Sequence, residues 1–329
     1  MQRRKILLLG GSMNQTTMMH QISRHLPEHE CVFTQIYSDG VLDHLRRHGY
    51  LEFTVLGNQF RKQTEEYCRE HNLRTPREGE KDFDLVITCS DLVIQKGMRD
   101  KPYVLVQEGM TDPENLLYYL VKYLRLPRWM ASTSTTGLSH AYDMFCVASE
   151  GYKEHFIKKG VDPEKLVVTG IPNFDNVAQH LNNSFEHKGY VLVATSDTRE
   201  TFKIDSRKKF LRKAKAIAGD RQIIVKLHPN ENVERNTAEI KEVMPNALVY
   251  SRGNTNEMIA NCDELITQYS SVVYVGLALG KKCHSYFDMD ELKRMTPEQN
   301  GGKSAGNIAA KCREVLQRQT SKKPDMSYA

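Results

Sequence analysis

The chain has 329 residues, of which 40% are hydrophobic and 26% charged, a folded globular composition rather than a disordered or fibrous one. That length exceeds one average domain and suits two. The net charge of +5 is too small a basic excess for a dedicated nucleic-acid binder, and no apolar run approaches the roughly 18 residues of a membrane helix. The basic start, Arg3-Arg4-Lys5, precedes an apolar run that Gly10 and Gly11 cut short, so it does not read as a signal peptide and a cytoplasmic location is expected. Seven cysteines without a C-x-x-C pair suggest reduced, mostly buried thiols rather than disulfides or a zinc site.

In chain order, residues 5–9 read as a buried strand, and Met18, Met19, Ile22 and Leu26 recur at helical spacing. Further strands are expected at 31–37, 85–89, 103–106, 144–148 and 166–169, with helical stretches between them, including 113–124 and 152–159. A polar break spans 182–189, after which strands are expected at 190–194, 222–226, 248–250, 264–267 and 283–287. This alternation predicts an α/β fold with parallel sheets and helices on both faces. The expected division is 1–185, 186–304, and a C-terminal helix and tail over 305–329, the last ten or so residues frayed. Between Arg199 and Lys226, ten Lys/Arg stand against three Asp/Glu. Such a run is either a solvated helix face or a patch for phosphates or anionic lipid.

Several strand ends carry chemistry. Gly10-Gly11-Ser12 follows the first strand, where glycines permit a tight turn and free amides for an anion. Without a full G-x-G-x-x-G it reads as a cleft-lining loop, not a dinucleotide fingerprint. Gln107-Glu108-Gly109 ends the strand at 103–106. Ligands of open α/β sheets bind at that edge, and a carboxylate there can act as a general base. Asp112 is the expected N-cap of a helix starting at Pro113. Thr169-Gly170 ends another strand, and Lys226-Leu227-His228-Pro229 ends a fourth with a cation and an imidazole suited to a phosphate oxygen. Ser270-Ser271 follows the strand at 264–267 and opens a helix, where hydroxyls and free amides suit an anion. The small polar run 131–137 reads as a mobile lid. Asp288-Met289-Asp290 lacks a surrounding ligand cluster, Gly302-Lys303-Ser304 lacks the first P-loop glycine, and the sequons at Asn14 and Asn182 are expected to be idle.

Taken together, Lys226–Pro229, the run Asn254-Thr-Asn-Glu-Met258, Leu265-Ile-Thr-Gln-Tyr-Ser-Ser271 and Ala278-Leu-Gly-Lys-Lys282 resemble the CDP-glycerol glycerophosphotransferases, the teichoic-acid polymerase-like family. The run 169–175 is similar both to that family and to the non-hydrolysing UDP-GlcNAc 2-epimerases. Gln268 stands where the first family usually has Asp. Gln-Glu-Gly at 107–109 stands where it has a His-Gly pair, and is closer to the epimerases' His-x-Glu-Ala-Gly. The resemblance implies the GT-B fold, two Rossmann-like domains facing across a cleft. It implies a transferase moving a glycosyl or glycerophosphate group from a nucleotide-activated donor to a saccharide or lipid-linked acceptor, or alternatively a sugar-nucleotide epimerase. On this expectation Glu108 and His228 are catalytic, Glu108 as the acceptor's base. Lys226, Asn254, Glu257, Ser270 and Ser271 hold the donor, with Glu257 on its ribose. Gly10, Gly11, Ser12, Gly109 and Gly170 line the cleft. No metal, cofactor or nucleic acid is expected, and a lipid-linked acceptor would bring peripheral contact with the inner membrane face.

Overall fold

Eleven strands form two sheets among residues 2–35, 40–50, 57–196 and 206–322, the ones described in a computed structural model of the chain. Every pairing is parallel. The chain divides into one unit of Met1–Asp175 with Asn300–Ala329 and a second of Asn176–Gln299.

In the first unit the strands are β1 (Lys5–Gly10), β2 (Glu30–Gln35), β3 (Leu85–Thr88), β4 (Tyr103–Val106), β5 (Met144–Val147) and β6 (Leu166–Val168), in the order β2-β1-β3-β4-β5-β6. Leu7 pairs with Val32 on one side and Val86 on the other. The strands β3, β4 and β5 are buried at every position. They therefore read as unbroken apolar runs rather than alternating ones, because helices cover both faces of a parallel sheet. The helices are α1 (Met13–Ser23), α2 (Gly40–Arg47), α3 (Asn58–Glu70), α4 (Leu116–Leu124) and α5 (Glu150–Lys159).

In the second unit the helices are α6 (Arg207–Ala218), α7 (Val233–Val243), α8 (Thr255–Asn261), α9 (Val272–Ala278) and α10 (Met289–Met295). Its strands are β7 (Val191–Ala194), β8 (Ile223–Lys226), β9 (Leu248–Tyr250), β10 (Glu264–Thr267) and β11 (Lys282–His284), in the order β11-β10-β7-β8-β9. Val193, Phe210, Leu211, Val225, Ile240 and Ile266 belong to one buried cluster that packs α6 and α7 onto this sheet. The last helix, α11 (Ser304–Lys322), belongs to the first unit.

The division falls at 175/176 and 299/300 rather than at 185/186 and 304/305, and side-chain bonds explain both differences. The polar stretch after residue 176 packs on α8, where Asn261 Nδ2 donates to Asn183 Oδ1 at 2.7 Å. The segment before α11 is sewn to the end of β6 instead. Asp175 accepts from the Ser304 amide at 2.8 Å, and Asn300 Nδ2 donates to the Thr169 carbonyl at 2.9 Å. Gly170 lies beneath this seam at φ +70°, where a Cβ would come within 2.3 Å of Ser304 Oγ. Close packing in the first unit thus accounts for that glycine.

Two other local expectations change. Asn115, not Asp112, caps α4, accepting from the Tyr118 amide at 3.0 Å. Asp112 is engaged elsewhere, accepting from Thr133 Oγ1 at 3.0 Å. The run 131–137 is not an exposed lid. Most of it is buried, the Gly137 amide donates to the buried Asp91 carboxylate at 3.1 Å, and Lys159 Nζ donates to the Ser134 carbonyl. Burial holds that lysine at a pKa of about 8. The seven cysteines are free thiols, five of them buried.

Candidate functional site

In each sheet the strand order reverses once, and the crevice beyond the carboxyl ends at such a reversal is where open α/β sheets bind ligands. In the first unit the reversal lies between β1 and β3. The chain leaving β1 turns at Gly10, where a Cβ would meet Thr16 Oγ1 at 2.5 Å. Ser12 then caps α1, accepting from the Gln15 amide at 3.2 Å.

Glu108, just past β4, reaches this loop. Its Oε1 accepts from Ser12 Oγ at 3.1 Å and its Oε2 from Gln15 Nε2 at 2.6 Å. Gln15 also accepts from the Gly11 amide at 2.8 Å, which fixes its amide orientation. Burial pushes the Glu108 pKa up, opposed by the two hydrogen bonds from Gln15 and Ser12. Its bonded partners are neutral, so among the described residues no cation clamps it in the ionised form. Gln107 braces the same strand end, donating to the Gly109 carbonyl at 2.8 Å and accepting from the Ala148 amide at 2.9 Å. The buried Cys89, beyond β3, has a thiol pushed well up by burial and by the Glu108 carboxylate, which leaves it inert.

The loop expected from sequence thus comes together with Glu108. Gln15 was the member that sequence reasoning missed; its only signal was its place one turn into the helix that follows the glycines. A cavity of about 590 Å³ also opens in this unit beside β2, its walls including Gln35, Arg46, Arg61 and Thr64. Thr64 Oγ1 lies 3.3 Å from Thr16 Oγ1, which links that wall to the glycine loop.

In the second unit the reversal lies between β7 and β10. Ser196, past β7, donates to Gln268 past β10 at 3.3 Å, bridging it. The half-buried His228 follows β8, and its amide donates to Glu231 at 2.8 Å and to Thr195 Oγ1 at 3.2 Å. Glu231 is itself buried against Arg207 at 2.6 Å, a pair that sequence reasoning missed. Ser270 and Ser271 lie at the start of α9, half-buried. Ser271 makes no side-chain cap, so ordinary N-capping does not account for it.

Lys226 turns inward. Its buried ammonium donates to the Leu227 carbonyl at 2.8 Å and the Ser251 carbonyl at 3.4 Å, and burial lowers its pKa against the pull of Glu231. It braces the turn that presents His228. Asn254 caps α8 through the Asn256 amide at 3.0 Å and donates to Glu257 at 2.9 Å, so these two residues form a local capping pair.

The remaining motifs have structural explanations. Asp288 caps α10, accepting from the amides of Asp290 and Glu291 at 2.9 and 2.8 Å. Ser304 is where α11 begins, on Asp175. Of the basic run 199–226, residues 199–205 lie outside the described ones. Arg207 and Lys226 are buried, Lys208 pairs with Glu242 and Arg221 with Glu264.

No protein-family model and no curated protein matches the chain by sequence. Solved structures do match in fold. A Methanocaldococcus jannaschii UDP-GlcNAc 2-epimerase in complex with UDP-GlcNAc and UDP is similar at a TM-score of 0.57 and 13% identity, over 94% of this chain and 99% of that one. The S. aureus MnaA–UDP structure is similar at 0.54 and 12%, over 97% and 91%. The wall teichoic acid polymerase TagF, as its H444N variant, is similar at 0.51 and 11%, over 97% and 90%. The resemblance to both families therefore holds at the level of structure, and the fold is GT-B, with two Rossmann-like units.

Proposed function

We propose that this chain is an enzyme of nucleotide-activated sugar chemistry. It moves a glycosyl or glycerophosphate group from its donor to an acceptor hydroxyl, in the making of a cell-surface polysaccharide or glycoconjugate. The observation that carries this is Glu108, a carboxylate at the sheet reversal held, among the described residues, through neutral Ser12 and Gln15. A carboxylate whose pKa is raised is a better proton acceptor than one that a cation clamps in its ionised form. The names of the similar structures, UDP-GlcNAc 2-epimerases and a teichoic acid polymerase, support nucleotide-linked substrates.

In this proposal the acceptor O–H gives its proton to Glu108 as its oxygen attacks the transferred carbon or phosphorus. The bond to the nucleotide breaks, and the nucleotide leaves with the electron pair. His228 and the hydroxyls of Ser270 and Ser271 meet the donor's phosphate charge in the second unit. Lys226 supports them indirectly, by holding the His228 turn. The cavity walled by Arg46 and Arg61 is the acceptor's place in the first unit.

A second reading, epimerisation at a UDP-sugar, is favoured by the somewhat higher structural similarity to the epimerases, 0.57 against 0.51 for TagF. One experiment separates the two. The protein is incubated with UDP-GlcNAc or CDP-glycerol, with and without saccharide and lipid-linked acceptors, and the products are resolved by mass spectrometry and NMR. Nucleotide release that requires an acceptor supports transfer. A C2 epimer formed without acceptor supports the second reading, and no turnover with any nucleotide-linked donor contradicts both.

A further inference from the structure

The helix α4 is apolar almost all round, yet only Tyr118 and Val121 point inward, where they pack with Ala131, Leu126 and Leu138. The rest of its apolar surface faces solvent. Leu116 is 76% exposed, Tyr123 74% and Leu124 63%, with Tyr119, Leu120 and the nearby Trp129 also exposed. Isolated apolar side chains are normal on a surface, but a contiguous set on one short helix and the turn after it marks an interaction site.

Charge selects the partner. The exposed residues within this patch include Lys122 and Arg125, with Glu114 as the acid at its edge. Lys122 Nζ donates to the Lys159 carbonyl at 3.0 Å, which sets the end of α5, with its exposed Lys158, beside the patch. A second copy meeting this face by two-fold symmetry would set a cationic patch against itself. Headgroups of an anionic bilayer complement it, and Leu, Tyr and Trp among Lys and Arg is the composition that seats in the membrane interface. We propose that α4 and the Trp129 turn dock the protein peripherally on an anionic membrane surface. This inference is independent of the reaction assigned above. It places the contact on α4 rather than on the basic run of α6, where Arg207 is buried and Lys215 Nζ donates to the Val243 carbonyl at 3.0 Å.

Trp129 is the single tryptophan of the chain, so its fluorescence reports on this patch without a label. The full chain is titrated with vesicles of phosphatidylcholine, with and without phosphatidylglycerol, and binding is measured in parallel by flotation. The expected result is a blue shift and flotation with the anionic vesicles, both weakened by added salt. The triple variant Leu116→Ser/Tyr123→Ser/Leu124→Ser should lower partitioning on the order of tenfold or more, with an unchanged far-ultraviolet circular dichroism spectrum. An unshifted wild-type spectrum overturns the proposal. So does vesicle binding that the triple variant leaves intact, or a wild-type dimer in sedimentation that the same variant abolishes.

Discussion

Three glutamates at or near strand ends, two in the second unit and one in the first, are held in opposite ways. In the second unit, Glu231 is buried against Arg207 at 2.6 Å, and Glu264 is ringed by Arg221, Lys282 and His284. Burial pushes Glu264 up, but those partners overcome it and hold the carboxyl at about 2. In the first unit, the donors to Glu108 among the described residues are neutral and its pKa is raised. The first arrangement fixes a charge for the sake of the fold. The second leaves a proton free to move, which is what a base requires. Environment separates these roles, since all three residues are glutamates at or near strand ends.

The largest effect should come from breaking a clamp. Glu231→Ala takes from the buried Arg207 the carboxylate it holds at 2.6 Å, and urea unfolding should show a loss of about 3–5 kcal/mol. A loss below about 1 kcal/mol would mean that the pair is not what fixes this region. Glu264→Gln should cost roughly 1–3 kcal/mol at neutral pH. Because the folded pKa of Glu264 is depressed, its contribution is present above the ordinary carboxylate value and disappears as pH falls toward about 2. Melting curves across that window should fall more steeply with acid for wild type than for the variant.

Smaller changes are expected around Glu108. Ser12→Ala removes a donor that favours the ionised form, along with the α1 cap, and should cost about 0.5–2 kcal/mol. It should also move the acidic limb of the pH–rate profile upward; a downward move would contradict the assigned role of that bond. Glu108→Gln should stay within about 1 kcal/mol of wild-type stability. The sign follows from the raised folded pKa, since the native state prefers the protonated acid. Its contribution is therefore full below the ordinary carboxylate value and is lost as pH rises through the folded pKa. The neutral variant should gain on wild type above that point and lose the advantage in acid, and melts at two pH values suffice to check it.

Much of the fold was legible because buried parallel strands are continuous apolar runs. The runs at 85–89, 103–106 and 222–226 contain β3, β4 and β8. That Glu108 lies at the carboxyl edge of the first sheet, and His228 and Ser270 at that of the second, followed from those strands and the rule for open sheets. What sequence could not supply was the direction of individual side chains. Lys226 and His228 are two residues apart, yet one ammonium is spent on carbonyls while the neighbouring turn presents the imidazole. Arg207 and Glu231 meet across 24 residues of chain. The unit boundaries escaped for the same reason. A polar stretch reads as a linker, and nothing local reveals that Asn183 is bonded to Asn261 or that Ser304 is tied to Asp175.

As proposed, Glu108 acts as a base and is not needed to hold the nucleotide. Once a turned-over donor is identified, Glu108→Gln can be measured for both turnover and donor affinity, the latter by calorimetry. A base that is removed while the fold stays intact should lower kcat by about 10²–10⁴-fold and leave the donor Kd within about twofold. Unchanged turnover, or a loss confined to donor affinity, would contradict that role for Glu108.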